Sequence, residues 1–171
     1  MHSDTKQDNI ILIGMAGTGK TTLGAKLSGH LSWSHLDTDY LLQAWWGIPL
    51  QSLHDWLGLE KFLLAEEQML TRLNVNRCVI STGGSVVYGQ KGMQHLKKMG
   101  RIIELYAELE IVQTRVKNPN SRGLAIKKGQ TLTDLYYERK PLYAAYADQR
   151  VNTGNLKPED CIKEITAWLK K

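Results

Sequence analysis

Between two short apolar stretches the chain carries Gly14-Met15-Ala16-Gly17-Thr18-Gly19-Lys20-Thr21, which fits the spacing Gly-x-x-x-x-Gly-Lys-Thr. Glycines at these positions let successive backbone N–H groups turn inward on an anion, and a helix opening at the end of the loop adds the positive end of its dipole. The lysine ammonium can reach the outer phosphates of a nucleotide, and the threonine hydroxyl is an oxygen ligand suited to Mg²⁺. The pattern predicts a nucleoside-triphosphate site in which Gly14, Ala16, Gly17, Thr18, Gly19, Lys20, Thr21 and Thr22 surround the phosphates. Asp37-Thr38-Asp39 is a second group of chemical interest. In extended chain the i, i+2 spacing puts both carboxylates on one side. If the pleat ends at Asp37 they diverge, one toward Mg²⁺ and the other toward an acceptor hydroxyl, whose proton a carboxylate can take as it attacks a phosphoryl group. A plain Asp-Thr-Asp turn capping the next helix is the alternative.

These groups need elements to hold them. Asn9–Gly14, Cys78–Thr82 and Arg101–Tyr106 are continuous apolar runs that end in turn residues or at a helix, as strands covered on both faces do. Ser34–Asp37 and Val151–Thr153 supply two further short strands. Helical periodicity covers Lys20–Leu31, Tyr40–Trp46, Leu59–Leu73, Gln90–Met99, Glu108–Lys117, Thr131–Ala147 and Pro158–Leu169, with Thr131 and Asp134 forming a capping pattern. Strand–helix alternation predicts a three-layer α/β/α domain on a mainly parallel sheet of five strands. Asn118–Gln130 is a polar, basic loop of about a dozen residues, the length of a lid or binding loop.

The chain has 171 residues, 42% hydrophobic and 23% charged, which excludes disorder and disulfide-rich scaffolds. No apolar run approaches the roughly 18 residues needed to cross a bilayer, and no signal-peptide core opens the chain. Cys78 and Cys161 make no metal spacing, so a cytoplasmic protein with reduced cysteines is expected. Net charge is +5, and Gln113–Arg150 alone has eight Lys/Arg against three Asp/Glu. That localised charge suits the phosphates of a nucleotide; without interleaved aromatics it does not read as a nucleic-acid surface. Trp45, Trp46 and Trp56 are expected in the core or a pocket wall, and Met93 and Met99 in the core.

The phosphate loop, Asp37-Thr38-Asp39, Phe62 with Glu66, Thr82-Gly83-Gly84, Arg122 and Arg139-Lys140-Pro141-Leu142-Tyr143 occur in an order that resembles the shikimate kinase family, P-loop enzymes related to nucleoside-monophosphate kinases. The resemblance runs from Ile10 to Leu169 and implies a single kinase domain over 1–171, with a substrate-binding helical region near 40–73 and a lid near 118–131. It implies ATP-dependent phosphorylation of shikimate to shikimate 3-phosphate, with Mg²⁺, by a cytoplasmic monomer that needs neither nucleic acid nor membrane. Lys20, Asp39 and Arg122 would be catalytic, Thr21 and Asp37 would hold the metal, and Arg115 and Pro158 would lie near adenine. Asp39, Glu66, Gly83, Gly84, Arg139 and the position of Leu63 would meet the acceptor, Arg139 at its carboxylate.

Three positions depart from the family pattern. Phe62-Leu63 stands where the family has Phe-Arg, Ser85 replaces a third glycine, and the lid's Arg-Pro-Leu-Leu is Arg122-Gly123-Leu124-Ala125. A carboxylate acceptor would lose one charged hydrogen-bond partner at Leu63, an interaction of roughly 1.5–3 kcal/mol, unless Lys61 or Arg72 replaces it. Homoserine or a gluconate-type sugar acid is the alternative acceptor, and a nucleotide-binding module with reduced catalysis is a second alternative.

Overall fold

Apolar runs without polar alternation need cover on both faces, and they receive it. The computed structural model describes residues 8–117 and 124–171. Its elements run β1 (Asn9–Ile13), α1 (Lys20–Leu31), β2 (Ser34–Asp37), α2 (Thr38–Trp46), α3 (Leu50–Leu70), β3 (Cys78–Ser81), α4 (Gln90–Met99), β4 (Gly100–Tyr106), α5 (Leu109–Arg115), α6 (Leu132–Tyr146), β5 (Gln149–Asn152) and α7 (Pro158–Leu169). One turn of 3-10 helix, Val86–Tyr88, precedes α4. The five strands form one parallel sheet in the order β2-β3-β1-β4-β5, the expected α/β arrangement.

The pleat divides β1 between two cores. Ile11 and Ile13 pack with Leu42, Phe62 and Met69 from α2 and α3, whereas Ile10 and Leu12 pack with Leu23, Leu27 and Ile165 from α1 and α7. The chain reaches β2 and β3 on one side of β1 and then crosses to β4 on the other. That reversal opens a crevice at the carboxyl ends of the strands, where the phosphate loop leaves β1.

Two expectations are revised. Helix α3 begins at Leu50 and runs to Leu70, broken at Gly58, whose φ of 71° and ψ of 166° lie outside the helical region. Periodicity identified only the limb after this break, because the first limb, 50–57, is short and of mixed polarity. Trp45, Trp46 and Trp56 are 49%, 40% and 68% exposed rather than core, because α2 and the first limb of α3 form the outer edge of the domain, although Trp45 and Trp46 do wall a surface hollow with Ala65, Gln68 and Arg72. Met93 and Met99 are buried as expected. Among the described residues, no helix is long and apolar enough to cross a membrane.

At the amino ends of the strands, away from the cleft, Asn9 is fully buried. Its Nδ2 donates to the carbonyls of Val75 (2.8 Å) and Met99 (3.0 Å), and its Oδ1 accepts from Cys78 N (3.0 Å). One amide thus ties the starts of β1, β3 and β4 together. Asn9→Ala leaves two carbonyls and one N–H buried without partners, so we expect a loss of about 2–4 kcal/mol. A urea midpoint that falls with an unchanged m-value is the expected result.

Candidate active site

The phosphate loop is shaped by backbone that only glycine adopts easily. Gly14, Gly17 and Gly19 have φ of 140°, 81° and 85°. A Cβ on Gly14 would also run into the Leu105 carbonyl of β4. Gly19 caps α1 without a side-chain hydrogen bond, and the first turn of α1 contains no acid. By contrast, α6 is closed by a reciprocal Thr131–Asp134 capping box. The first N–H groups of α1 are therefore left for an anion. Lys20 is buried, and its Nζ donates to the carbonyls of Gly14 (2.8 Å) and Met15 (3.0 Å). Burial lowers its pKa to about 8, against the opposing pull of Asp39 and Asp37. Phosphate oxygens around Lys20 would restore its charged form.

Strand β2 ends at Asp37 and α2 starts at Thr38, so the pleat stops between the two aspartates and they diverge. Asp37 caps α2 by accepting from Asp39 N (3.0 Å), and its other oxygen accepts from Thr21 Oγ1 at 2.6 Å. Thr38 is buried, and its hydroxyl accepts from Gly83 N (3.0 Å), which fixes α2 against the end of β3. Asp39 then faces Gly83: a Cβ there would lie 2.7 Å from Asp39 Oδ1 and 2.5 Å from Glu66 Oε1. Only a residue without a side chain leaves room for both carboxyl groups. Burial, and then the charge of Asp37, raises the Asp39 pKa to about 6.

Helix α6 brings in Arg139, which is 1% exposed. Its Nη2 donates to the Ala125 carbonyl and its Nε to Tyr88 Oη (3.2 Å), and a Cβ on Gly84 would lie 3.1 Å from its Nη1. Tyr143 Oη donates to the Gly84 carbonyl at 2.6 Å. Tyr88 Oη in turn donates to Glu138. These contacts hold Arg139 in one orientation beside the two glycines.

A cleft of about 370 Å³ joins the two groups, lined by Lys20, Thr21, Asp39, Gly83, Gly84 and Arg139 among others. Ala16, Gly17, Gly19, Thr22 and Arg115 line the same cleft. Arg115 also borders a hollow of about 210 Å³ with Thr18, Thr153 and Pro158, held there by hydrogen bonds to Thr153 O (3.0 Å) and Gly17 O (3.3 Å). The hollow has the position and apolar floor for a nucleotide base. Gly14 shapes the loop without lining the cleft.

Two expected acceptor residues sit elsewhere. Leu63 lines a separate hollow of about 140 Å³ with Leu59, Tyr88, Ala125, Lys127, Gln130 and Glu138. It follows Phe62 on α3, and one residue rotates about 100° around a helix, so Phe62 faces the cleft and Leu63 turns away. Glu66, four residues after Phe62 and on its face, is buried behind Gly83 rather than on the cleft wall. Lys61 is exposed, and Arg72 lies over the Trp45 ring at 6.0 Å, so neither supplies a second cation to the cleft. Arg122 lies outside the described residues. Ser85, Phe62, Thr82, Leu124 and Ala125 also line the cleft, and Tyr88 and Tyr143 support Arg139. Phe62, Thr82 and Tyr143 carried a sequence signal as parts of the quoted motifs, and Ser85, Leu124 and Ala125 as departures from them; Tyr88 carried none.

Thr21 Oγ1 and the Asp37 carboxylate form an all-oxygen pair at the phosphate end. Among the described residues no cluster of three or more His, Cys, Asp or Glu could hold a metal alone. Two oxygen donors beside a phosphate loop fit Mg²⁺, which keeps water and substrate phosphates in its shell.

The family model for shikimate kinase matches residues 16–170. The chain is 35% identical over 167 residues to a shikimate kinase of Enterococcus faecalis, covering 96% of this chain and 99% of the relative. It is 33% identical to one of Pelotomaculum thermopropionicum, covering 95% and 96%. Among solved structures, shikimate kinase from Acinetobacter baumannii in complex with shikimate superposes with a TM-score of 0.81 at 26% identity, over 97% of this chain and 94% of that one.

Gly83→Ala tests the crowding at the acceptor end. The added methyl must displace Asp39 or Glu66, so the acceptor KM is expected to rise by about tenfold or more, at roughly 1.4 kcal/mol per decade, while the ATP KM stays near wild type. A rise confined to the ATP KM would contradict this geometry.

Proposed function

The chain belongs to the shikimate kinase family, and from that premise we propose that it transfers the terminal phosphoryl group of ATP to a ring hydroxyl of shikimate, giving shikimate 3-phosphate for aromatic amino acid biosynthesis. As a family member it is a small-molecule kinase that uses ATP. The observation that carries the reading is the single cleft with Lys20 and Thr21 at one end and Asp39, Gly83 and Arg139 at the other.

Each residue has a physical task in this reading. The loop amides and Lys20 hold the phosphates and neutralise charge that spreads over the transferring group. Thr21 and Asp37 would hold Mg²⁺, which supplies further charge neutralisation between the phosphates when bound. Asp39 takes the proton of the attacking hydroxyl; with a pKa of about 6 it is ionised at neutral pH and is a stronger base than an ordinary aspartate. Arg139 meets the acceptor carboxylate through the guanidinium edge beside Gly84. Most of the catalysis then comes from alignment and charge, because little covalent chemistry is asked of the protein.

An amino-acid alcohol such as homoserine is the rival acceptor. Asp39 brings a carboxyl group to the cleft beside Gly83 while Arg139 brings a guanidinium, an arrangement that the ammonium and carboxylate of an amino acid would also suit.

An ADP-release assay with shikimate, homoserine and gluconate separates these acceptors. We expect turnover with shikimate and little above background with the other two. Faster turnover of homoserine would replace the assignment. Lys20→Ala is expected to lower kcat by about a hundredfold or more with the fold retained, the scale of removing one preorganised charge donor. Near-normal turnover in that variant would remove Lys20 from the mechanism.

A further inference from the structure

Glu66 is 2% exposed. The groups that face it come from four elements: Asp39 on α2, Lys20 on α1, Ser85 after β3, and Arg139 and Tyr143 on α6. Ser85 hydrogen-bonds its carboxyl group, and the Asp39 carboxyl is the closest like charge, on the other side of the space above Gly83. The two cations nearby are engaged elsewhere: Lys20 donates to loop carbonyls, and Arg139 donates to Ala125 O and Tyr88 Oη. One turn earlier on α3 stands Leu63, which offers no charge. A buried carboxylate with no ion pair and a carboxylate neighbour is costly, and protonation removes the cost.

We propose that Glu66 is a positioning residue that carries a proton in the working enzyme and so leaves Asp39 the single carboxylate facing the acceptor hydroxyl. The inference rests on the reading of Asp39 as the group that receives that hydroxyl. Protonated Glu66 fills the space behind Gly83 without repelling Asp39. Ionised Glu66 would place a second negative charge beside it in the same poorly solvated corner, and the two groups would separate. Burial first and the Asp39 charge second push the Glu66 pKa up to about 8, so the neutral form prevails at neutral pH. Ser85 opposes this shift in part, because its hydroxyl donates to the ionised form.

Folding and function carry the same sign of the linkage, since both favour the protonated carboxyl group. A carboxyl that titrates near 4.5 unfolded and about 8 folded binds extra proton in the native state, so stability falls as pH rises from about 4.5 to about 8. Acceptor kcat/KM at saturating ATP is expected to be level at neutral pH and to fall about tenfold per pH unit above about 8. Bound phosphates hold Lys20 charged in this range, so the fall reports Glu66.

The experiment combines three measurements. In Glu66→Gln, a neutral isostere that cannot titrate, the alkaline fall in acceptor kcat/KM is expected to vanish, whatever the height of the plateau. In Ser85→Ala it is expected to move to higher pH. Infrared difference spectra of the free protein at pH 7, wild type minus Glu66→Gln, are expected to show a protonated-carboxyl band. An ionised-carboxylate band in its place, or an alkaline fall that survives in Glu66→Gln, overturns the proposal. The infrared measurement needs no acceptor. A protonated band in a protein that does not turn over shikimate therefore supports the Glu66 proton while refuting the acceptor assignment. If Glu66→Gln fails to fold, the shift in Ser85→Ala decides: an unmoved fall overturns the proposal.

Discussion

Parallel pairing of β1 with β3 on one side and β4 on the other is the constraint from which the site follows. In a parallel sheet every strand delivers its carboxyl end to the same edge. The loop after β1, the Asp37–Asp39 corner after β2 and the Gly83–Gly84 turn after β3 must therefore meet. Their distances are then set by short hydrogen bonds that link one corner to the next. Thr82 Oγ1 donates to Leu12 O (2.9 Å), Ser81 Oγ to Lys20 O (2.9 Å), and Gly83 N to Thr38 Oγ1 (3.0 Å). Of the groups in these three bonds only the Gly83 backbone belongs to a residue placed at the acceptor, yet together the bonds determine where Lys20 and Asp39 point.

The cleft concentrates charge where water is scarce. Lys20, Asp39, Glu66 and Arg139 are close enough to influence one another, and burial is the largest influence on the first three. Each cation already has neutral oxygen partners: Lys20 has two loop carbonyls, and Arg139 has one carbonyl and one tyrosine hydroxyl. Those partners orient the cations without neutralising them, so their charge remains available to phosphate and carboxylate. Arg139 depends on a support that begins with Glu138 and Gln130, passes through Tyr88, and ends at its Nε. Substitutions in that support would act on the acceptor end without touching it.

Leu63 illustrates how a local departure is redistributed by packing. Read against the family pattern, it removes a charged partner from the acceptor. In the folded chain it belongs to a neighbouring apolar hollow under Ala125 and Tyr88, and the cleft keeps Arg139 as the cation beside Gly84. The same packing leaves Glu66, one turn further along α3, without a cation from its own helix.

Local chemistry was legible in the order of residues alone. The phosphate loop, the helix it opens and the capping box of α6 rest on interactions between residues a few positions apart, and the three central strands are marked by continuous apolar runs; spacing records both directly. The divergence of Asp37 and Asp39 was legible only as an alternative, because it depends on where β2 stops. The break at Gly58 and the outward tryptophans were not legible, since a single glycine and an amphipathic edge carry no unambiguous period. What required the fold were relations across long stretches of chain: Glu66 behind Gly83, Ser85 on Glu66, Tyr88 on Arg139, and Leu63 outside the cleft. These depend on how far one helix is rotated against a sheet, and that rotation is set by the packing of both cores together rather than by any one segment.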